Sequence, residues 1–121
     1  MLVISEASLA DLNSRLEQPV PMNRFRPNVV ISGVDAYDED HLQSLATADV
    51  ELRLVKACTR CTVTTTDQDT ARVGAEPLRT LQSYRLHPQL GGPAFGQNAI
   101  VTRGAGHVLR VGDTLDQVWN F

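Results

Sequence analysis

Apolar and polar positions alternate most plainly at Val50 to Val55, where Val50, Leu52 and Leu54 interleave with Glu51, Arg53 and Val55. Period two is the signature of a strand with one buried face, and it predicts a strand over 49–56. Thr62-Val63-Thr64-Thr65-Thr66 is β-branched throughout and predicts a second strand over 62–66. Leu2-Val3-Ile4 reads as a strand at the start of the chain, and Val29-Val30-Ile31 as one buried on both faces within 29–33. Further strands are predicted at 97–103 and 107–111, with Gly104-Ala105-Gly106 turning between them.

Helical spacing is scarcer. Ser8-Leu9-Ala10-Asp11 has the S-x-x-D form of a helix start, and Leu9, Leu12 and Leu16 share a face, so a helix is predicted over 8–17, ended by Pro19 and Pro21. Glu76-Pro77 opens a second helix over 77–85, with Leu78, Leu81 and Tyr84 on one side. His41 and Leu42 to Leu45 suggest a short helical turn. Many short strands, glycine-rich turns and two or three small helices predict a mainly β (α+β) chain, a mostly antiparallel and nearly closed barrel.

Composition narrows the function classes. The chain has 121 residues, enough for one domain over 1–121 with a real core. Its net charge of −3 and 5% aromatic content argue against a nucleic-acid binder, because phosphates call for a basic stripe and bases for stacking platforms. No apolar run reaches membrane-spanning length and no secretory leader is visible, so a cytoplasmic chain without a membrane is expected. Asp35, Asp38, Glu39 and Asp40 lack the spacing of a calcium loop and read as a solvated acidic turn.

The candidate chemistry lies between the 49–56 and 62–66 strands, at Cys58-Thr59-Arg60-Cys61. Thiolates are soft metal ligands, and a neighbouring cation favours the thiolate form. The local pattern by itself leaves a metal ligand, a redox pair, a disulfide and two inert thiols all open. A redox pair of the thioredoxin kind ordinarily opens a helix, and a structural zinc needs four ligands where His41, His87 and His107 are scattered.

The wider order of motifs is more specific. Arg24-Phe25-Arg26-Pro27-Asn28, Cys58-Thr59-Arg60-Cys61, Asp67-Gln68-Asp69-Thr70, Glu76-Pro77-Leu78 with Leu81 and Tyr84-Arg85, and Phe95-Gly96-Gln97 follow one another. This series resembles the MOSC domain, the molybdenum cofactor sulfurase C-terminal domain, and its amidoxime-reducing branch in particular. Ala71 stands where that family commonly has glycine. The resemblance runs from Leu2 to about Asp113. Similar proteins carry further sequence ahead of this point, so an N-terminally shortened domain is expected.

The resemblance implies a molybdenum cofactor (Mo-molybdopterin) with Cys61 as metal ligand and catalytic residue. Arg26, Asn28, Thr59, Arg60, Cys61 and Gln97 would bind it; an ion pair of Arg26 with Glu76 is the competing reading. It also implies reduction of small N-hydroxylated compounds, with electrons from a separate donor protein or a redox domain outside this sequence. The sequence has neither a four-cysteine cluster pattern nor a G-x-G-x-x-G fingerprint. The alternative is a cofactor or sulfur carrier without turnover. Pyridoxal phosphate is a family-level association, and Lys56, the chain's only lysine, stands in a predicted strand.

Overall fold

The computed structural model describes residues 1–61, 65, 70 and 74–119. In chain order it has β1 (Leu2–Ser5), α1 (Glu6–Ser14), β2 (Val29–Ile31), β3 (Leu42–Ala46), β4 (Glu51–Thr59), α2 (Leu78–Tyr84), β5 (Ala94–Arg103) and β6 (Asp116–Trp119). Short 3-10 turns occupy Met22–Arg24 and Asp38–His41. The strands form one sheet in the order β2-β1-β5-β4-β3-β6, antiparallel except for the β1–β2 pair. The expected mainly β fold is therefore present, as a curled half-barrel. Its end strands, β2 and β6, do not pair with each other among the described residues.

Two apolar cores lie on the two faces of this sheet. Leu2 and Ile4 of β1 point with Phe95 into a layer closed by Leu12 and Leu16, Phe25 and Leu81. Val3 points the other way, joining Ile31, Leu42, Leu45, Leu52, Leu54 and Ala99 inside the curl. Each fully buried side chain of this size contributes about 1.5–3 kcal/mol. A strand covered on both faces must be apolar throughout, which explains Leu2-Val3-Ile4. The β4 alternation holds as expected: Val50, Leu52 and Leu54 are buried, and Arg53 and Val55 exposed.

Several boundaries differ from expectation. α1 starts at Glu6, capped by Ser5, whose Oγ accepts from Ser8 N at 3.0 Å. Ser8 is thus the third helical residue, and Leu16 enters the core from beyond the helix end. Leu42–Ala46 is a strand where a helical turn was expected. A register shift between Leu42 and Ser44 lets two leucines three apart both face inward, which mimics helical spacing. Residues 107–111 are loop rather than strand. His107 N donates to Gly104 O, Arg110 N donates to Asp113 Oδ2, and Val108 and Val111 stay exposed. The edge position beside β3 goes to β6 instead.

Of the expected 62–66 strand only Thr65 is described, and it is buried. The rest of that strand, and Asp67 to Asp69, lie outside the described residues. The acidic turn is only partly solvated: Glu39 is 1% exposed. Its carboxylate accepts from Ser5 N at 2.7 Å, Ser5 Oγ at 3.0 Å and Ser8 Oγ at 2.8 Å. A carboxylate at the first turn of α1 meets the positive end of the helix dipole, which accounts for a buried acid here.

Candidate functional site

β4 delivers the cysteine loop. Its pairing with β5 shifts register between Leu54 and Lys56 and again between Ala57 and Thr59, so the strand bends as it approaches Cys58. Cys58 is half-buried against the α1-side core, whereas Cys61 is exposed; neither is in a disulfide. Arg60 is held at its backbone, where its N–H donates to Pro93 O at 2.8 Å.

The Arg60 guanidinium turns inward. Nη1 lies 3.2 Å from Cys58 Sγ, Nη2 donates to Phe25 O at 2.7 Å, and the cation sits 5.4 Å from the Phe25 ring centre. Nε is buried with no hydrogen-bond partner among the described residues. Phe25 is completely buried, its ring 4.5 Å from that of Phe95. Arg60 thereby joins the Arg24–Asn28 segment to the cysteine loop.

The other predicted residues are distributed as follows. Arg26 is exposed, with a positive φ of 52°. Its competing partner, Glu76, caps α2 by accepting from Thr80 N at 2.8 Å and Thr80 Oγ1 at 2.7 Å. Asn28 is exposed and clasps β1: its Oδ1 accepts from Leu2 N at 2.7 Å while its N–H donates to Leu2 O at 2.9 Å. Thr59 is exposed on the last residue of β4, opposite Ala94. Gln97 is buried, and its Nε2 donates to Asp40 Oδ1 at 2.7 Å. Gly96 lets β5 approach β1 closely. A Cβ there would stand 2.8 Å from Ile4 Cγ1 and 2.9 Å from Leu2 Cδ1.

Sequence reasoning missed the roles of Phe25, Asp40 and Arg85. Asp40 Oδ2 accepts from Arg85 Nη2 at 2.6 Å, and the Arg85 cation stacks over Tyr37 at 4.3 Å. Tyr37 OH bonds both Tyr84 OH and Asp11 Oδ2. Burial pushes both phenols up, Tyr37 far above the usual tyrosine range with the Tyr84 and Asp11 bonds adding to it. The same Tyr37 hydrogen bond holds Asp11 below the ordinary carboxylate range, against a smaller opposing effect of burial. These contacts span 26 to 57 residues, and no local pattern announces them.

A half-barrel with a two-cysteine loop at one strand end, tied by an arginine to a preceding aromatic segment, defines a cysteine-bearing β-domain. Comparison with known proteins says which: the chain belongs to the MOSC domain family, whose model matches residues 1–116. It is 50% identical over 119 residues to mitochondrial amidoxime-reducing component 1 of Homo sapiens, which covers 93% of this chain and 35% of that protein. The Mus musculus counterpart is 52% identical over 93% of this chain and 34% of its own. Mitochondrial amidoxime reducing component 2 of Rattus norvegicus is 47% identical, covering 92% and 34%.

The chain spans about a third of the length of these curated relatives. They are named as mitochondrial proteins, which overturns the expectation of a cytoplasmic chain. Composition and hydropathy of one stretch do not specify a compartment. Among the described residues no helix is long and apolar enough to cross a membrane. Neither the family match nor these names bears on pyridoxal phosphate.

The residues fit the cofactor's metal end. Cys61 offers an exposed, unoxidised thiol, and Thr59 an exposed hydroxyl on the same loop. Arg60 adds a fixed positive charge and an unsatisfied Nε. Asn28 and Gln97 already serve Leu2 and Asp40, leaving Asn28 Nδ2 and Gln97 Oε1 as their remaining polar atoms.

Proposed function

We propose that this chain is the molybdenum-cofactor-binding part of an oxidoreductase that reduces N-hydroxylated compounds such as amidoximes and hydroxylamines, with Cys61 as the thiolate ligand. The observation that carries this reading is the exposed, non-disulfide Cys61, next in sequence to an Arg60 anchored on Phe25, in a MOSC domain about half identical to amidoxime-reducing components. Each turnover converts N–OH to N–H with two electrons and two protons, releasing water. Held by Cys61, the molybdenum centre would supply the two-electron redox chemistry.

The chain's own residues have simpler duties. Cys61 binds, and Arg60 balances negative charge at the metal end while holding the loop to Phe25. Arg26, Asn28, Thr59 and Gln97 supply polar contacts around the pterin. Electrons come from a separate donor protein or a further redox domain.

Molybdenum content measured on protein expressed in a cofactor-producing host tests this. Cys61→Ser should remove the metal, whereas Cys58→Ala should retain much of it. Stoichiometric zinc, or equal molybdenum loss from both variants, would overturn the single-thiolate assignment. Full molybdenum occupancy without turnover of any N-hydroxylated compound, even with a reductant, would replace the reductase by a cofactor carrier.

A further inference from the structure

A cleft of about 410 Å³ opens on the side of β4 just before the cysteine loop, walled by Leu54 to Ala57, by Tyr84 to Pro88 and by Gln97. Its charged side chains are Lys56, Arg85 and Asp40, a net positive lining in a chain whose own net charge is −3. The Asp40 carboxylate is fully occupied, one oxygen on Gln97 and the other on Arg85. Lys56 is exposed and has no hydrogen bond or ion pair among the described residues. The cleft therefore combines an unspent cation with an acid whose two oxygens are already engaged.

The wall at Tyr84–Pro88 adds a donor of fixed tautomer. Gln89 N and Leu90 N both donate to His87 Nδ1 at 3.2 Å, which leaves the neutral ring's proton on Nε2. This wall is held firmly: His87 N donates to Gly92 O at 2.8 Å, Ala94 N to Arg85 O at 2.8 Å, and Leu86 bridges Pro93. Leu54, Leu86 and Pro88 supply apolar surface beside these donors.

From this arrangement we infer that the Lys56–His87 cleft is a binding site for a small organic carboxylate, its anionic group on Lys56 and its apolar body against Leu86 and Pro88. An ammonium and a ring N–H in the lining of one cleft suit an oxyanion, and the apolar flank favours a carboxylate with a hydrocarbon body over inorganic phosphate. Cys61 does not line this cleft, and the inference does not rest on the molybdenum reading. The cleft does share a segment with the cysteine loop, because Pro93 O holds Arg60 N.

The test is an amide NMR titration of the protein with sodium benzoate at low ionic strength, with inorganic phosphate as the second arm. Saturable shifts are expected for residues 54–57 and 85–87 with benzoate, about tenfold weaker in Lys56→Gln and restored in Lys56→Arg. Phosphate is expected to bind more weakly than benzoate. Linear, non-saturating shifts, or benzoate binding unchanged by Lys56→Gln, would overturn the site, and tighter binding of phosphate would overturn the organic carboxylate assignment. Lys56 is exposed, so its replacement leaves the fold intact, and the unshifted remainder of the spectrum verifies that.

Discussion

Arg60 holds Phe25 twice, its Nη2 donating to the Phe25 carbonyl at 2.7 Å and its guanidinium lying 5.4 Å above the Phe25 ring. The two residues come from segments that carry different halves of the site. Charge-assisted hydrogen bonds of this kind contribute about 1.5–3 kcal/mol. Arg60→Gln is expected to lower stability in urea by about that amount. Arg60→Lys should recover little of it, because an ammonium cannot reach both Cys58 Sγ and the Phe25 carbonyl in the planar arrangement of a guanidinium. Full recovery by lysine would show that charge alone matters here.

Glu39 is the acid on which α1 rests. Removing its carboxylate strands Ser5 N and leaves the Ser8 hydroxyl with Tyr37 N as its outside donor. Glu39→Ala is expected to destabilise the protein by about 2 kcal/mol or more, from unsatisfied buried donors and a cavity together. Glu39→Gln should cost less, since its amide oxygen still accepts. Chemical denaturation of the two variants decides the order.

Stability should fall at both ends of the pH scale, for opposite reasons. Asp11 is held below its ordinary value by the Tyr37 hydrogen bond, so its contribution is present above the unfolded carboxylate value and fades as pH falls through the folded one. Tyr37 and Tyr84 are raised, so the folded state keeps its phenol protons where the unfolded chain has lost them. Their contribution is complete below about pH 10 and is lost as pH rises beyond it. Melting curves of Tyr37→Phe should be flatter than wild type both below about pH 4 and above about pH 10. Parallel curves would remove the Tyr37 pair from the account.

Gly96 has a φ of 89° and faces Ile4 and Leu2 closely. Alanine there meets both a strained backbone and atoms already in contact. Gly96→Ala should cost well over 1 kcal/mol, whereas alanine at Gly74, which has open space and no positive φ, should change little. Thermal melts of the pair provide the comparison.

The strands legible in the sequence were those whose burial follows simple alternation or a wholly apolar run, as in Val50 to Leu54 and Leu2 to Ile4. β3 escaped because its bulge converts a period of two into a spacing of three. β6, Asp116-Gln117-Val118-Trp119, is an exposed edge whose pattern carries little burial to detect. The cysteine loop was visible at once, since two thiols and a guanidinium announce their chemistry. What it rests on was not visible: the Phe25 carbonyl is backbone, and Asp40, Arg85 and Gln97 meet only after long chain excursions. Asn28 and Gln97 also serve the scaffold, at Leu2 and Asp40, a duty that an amide in the sequence does not reveal.

The strand order also says when the domain becomes whole. Among the described strands, β5 alone joins the β2-β1 side to the β4-β3-β6 side, pairing Leu2 with Asn98 and Leu52 with Val101. A growing chain that has passed Leu81 has already made β1, α1, β2, β3 and β4, yet its two half-sheets share no ladder. Contacts spanning nearly the entire chain are slow to form, and the unpaired edges of β1 and β4 stay open to other chains meanwhile. During synthesis, the hazard for this protein lies in the interval before Ala94 to Arg103 emerges, and a chaperone that shields strand edges would act there.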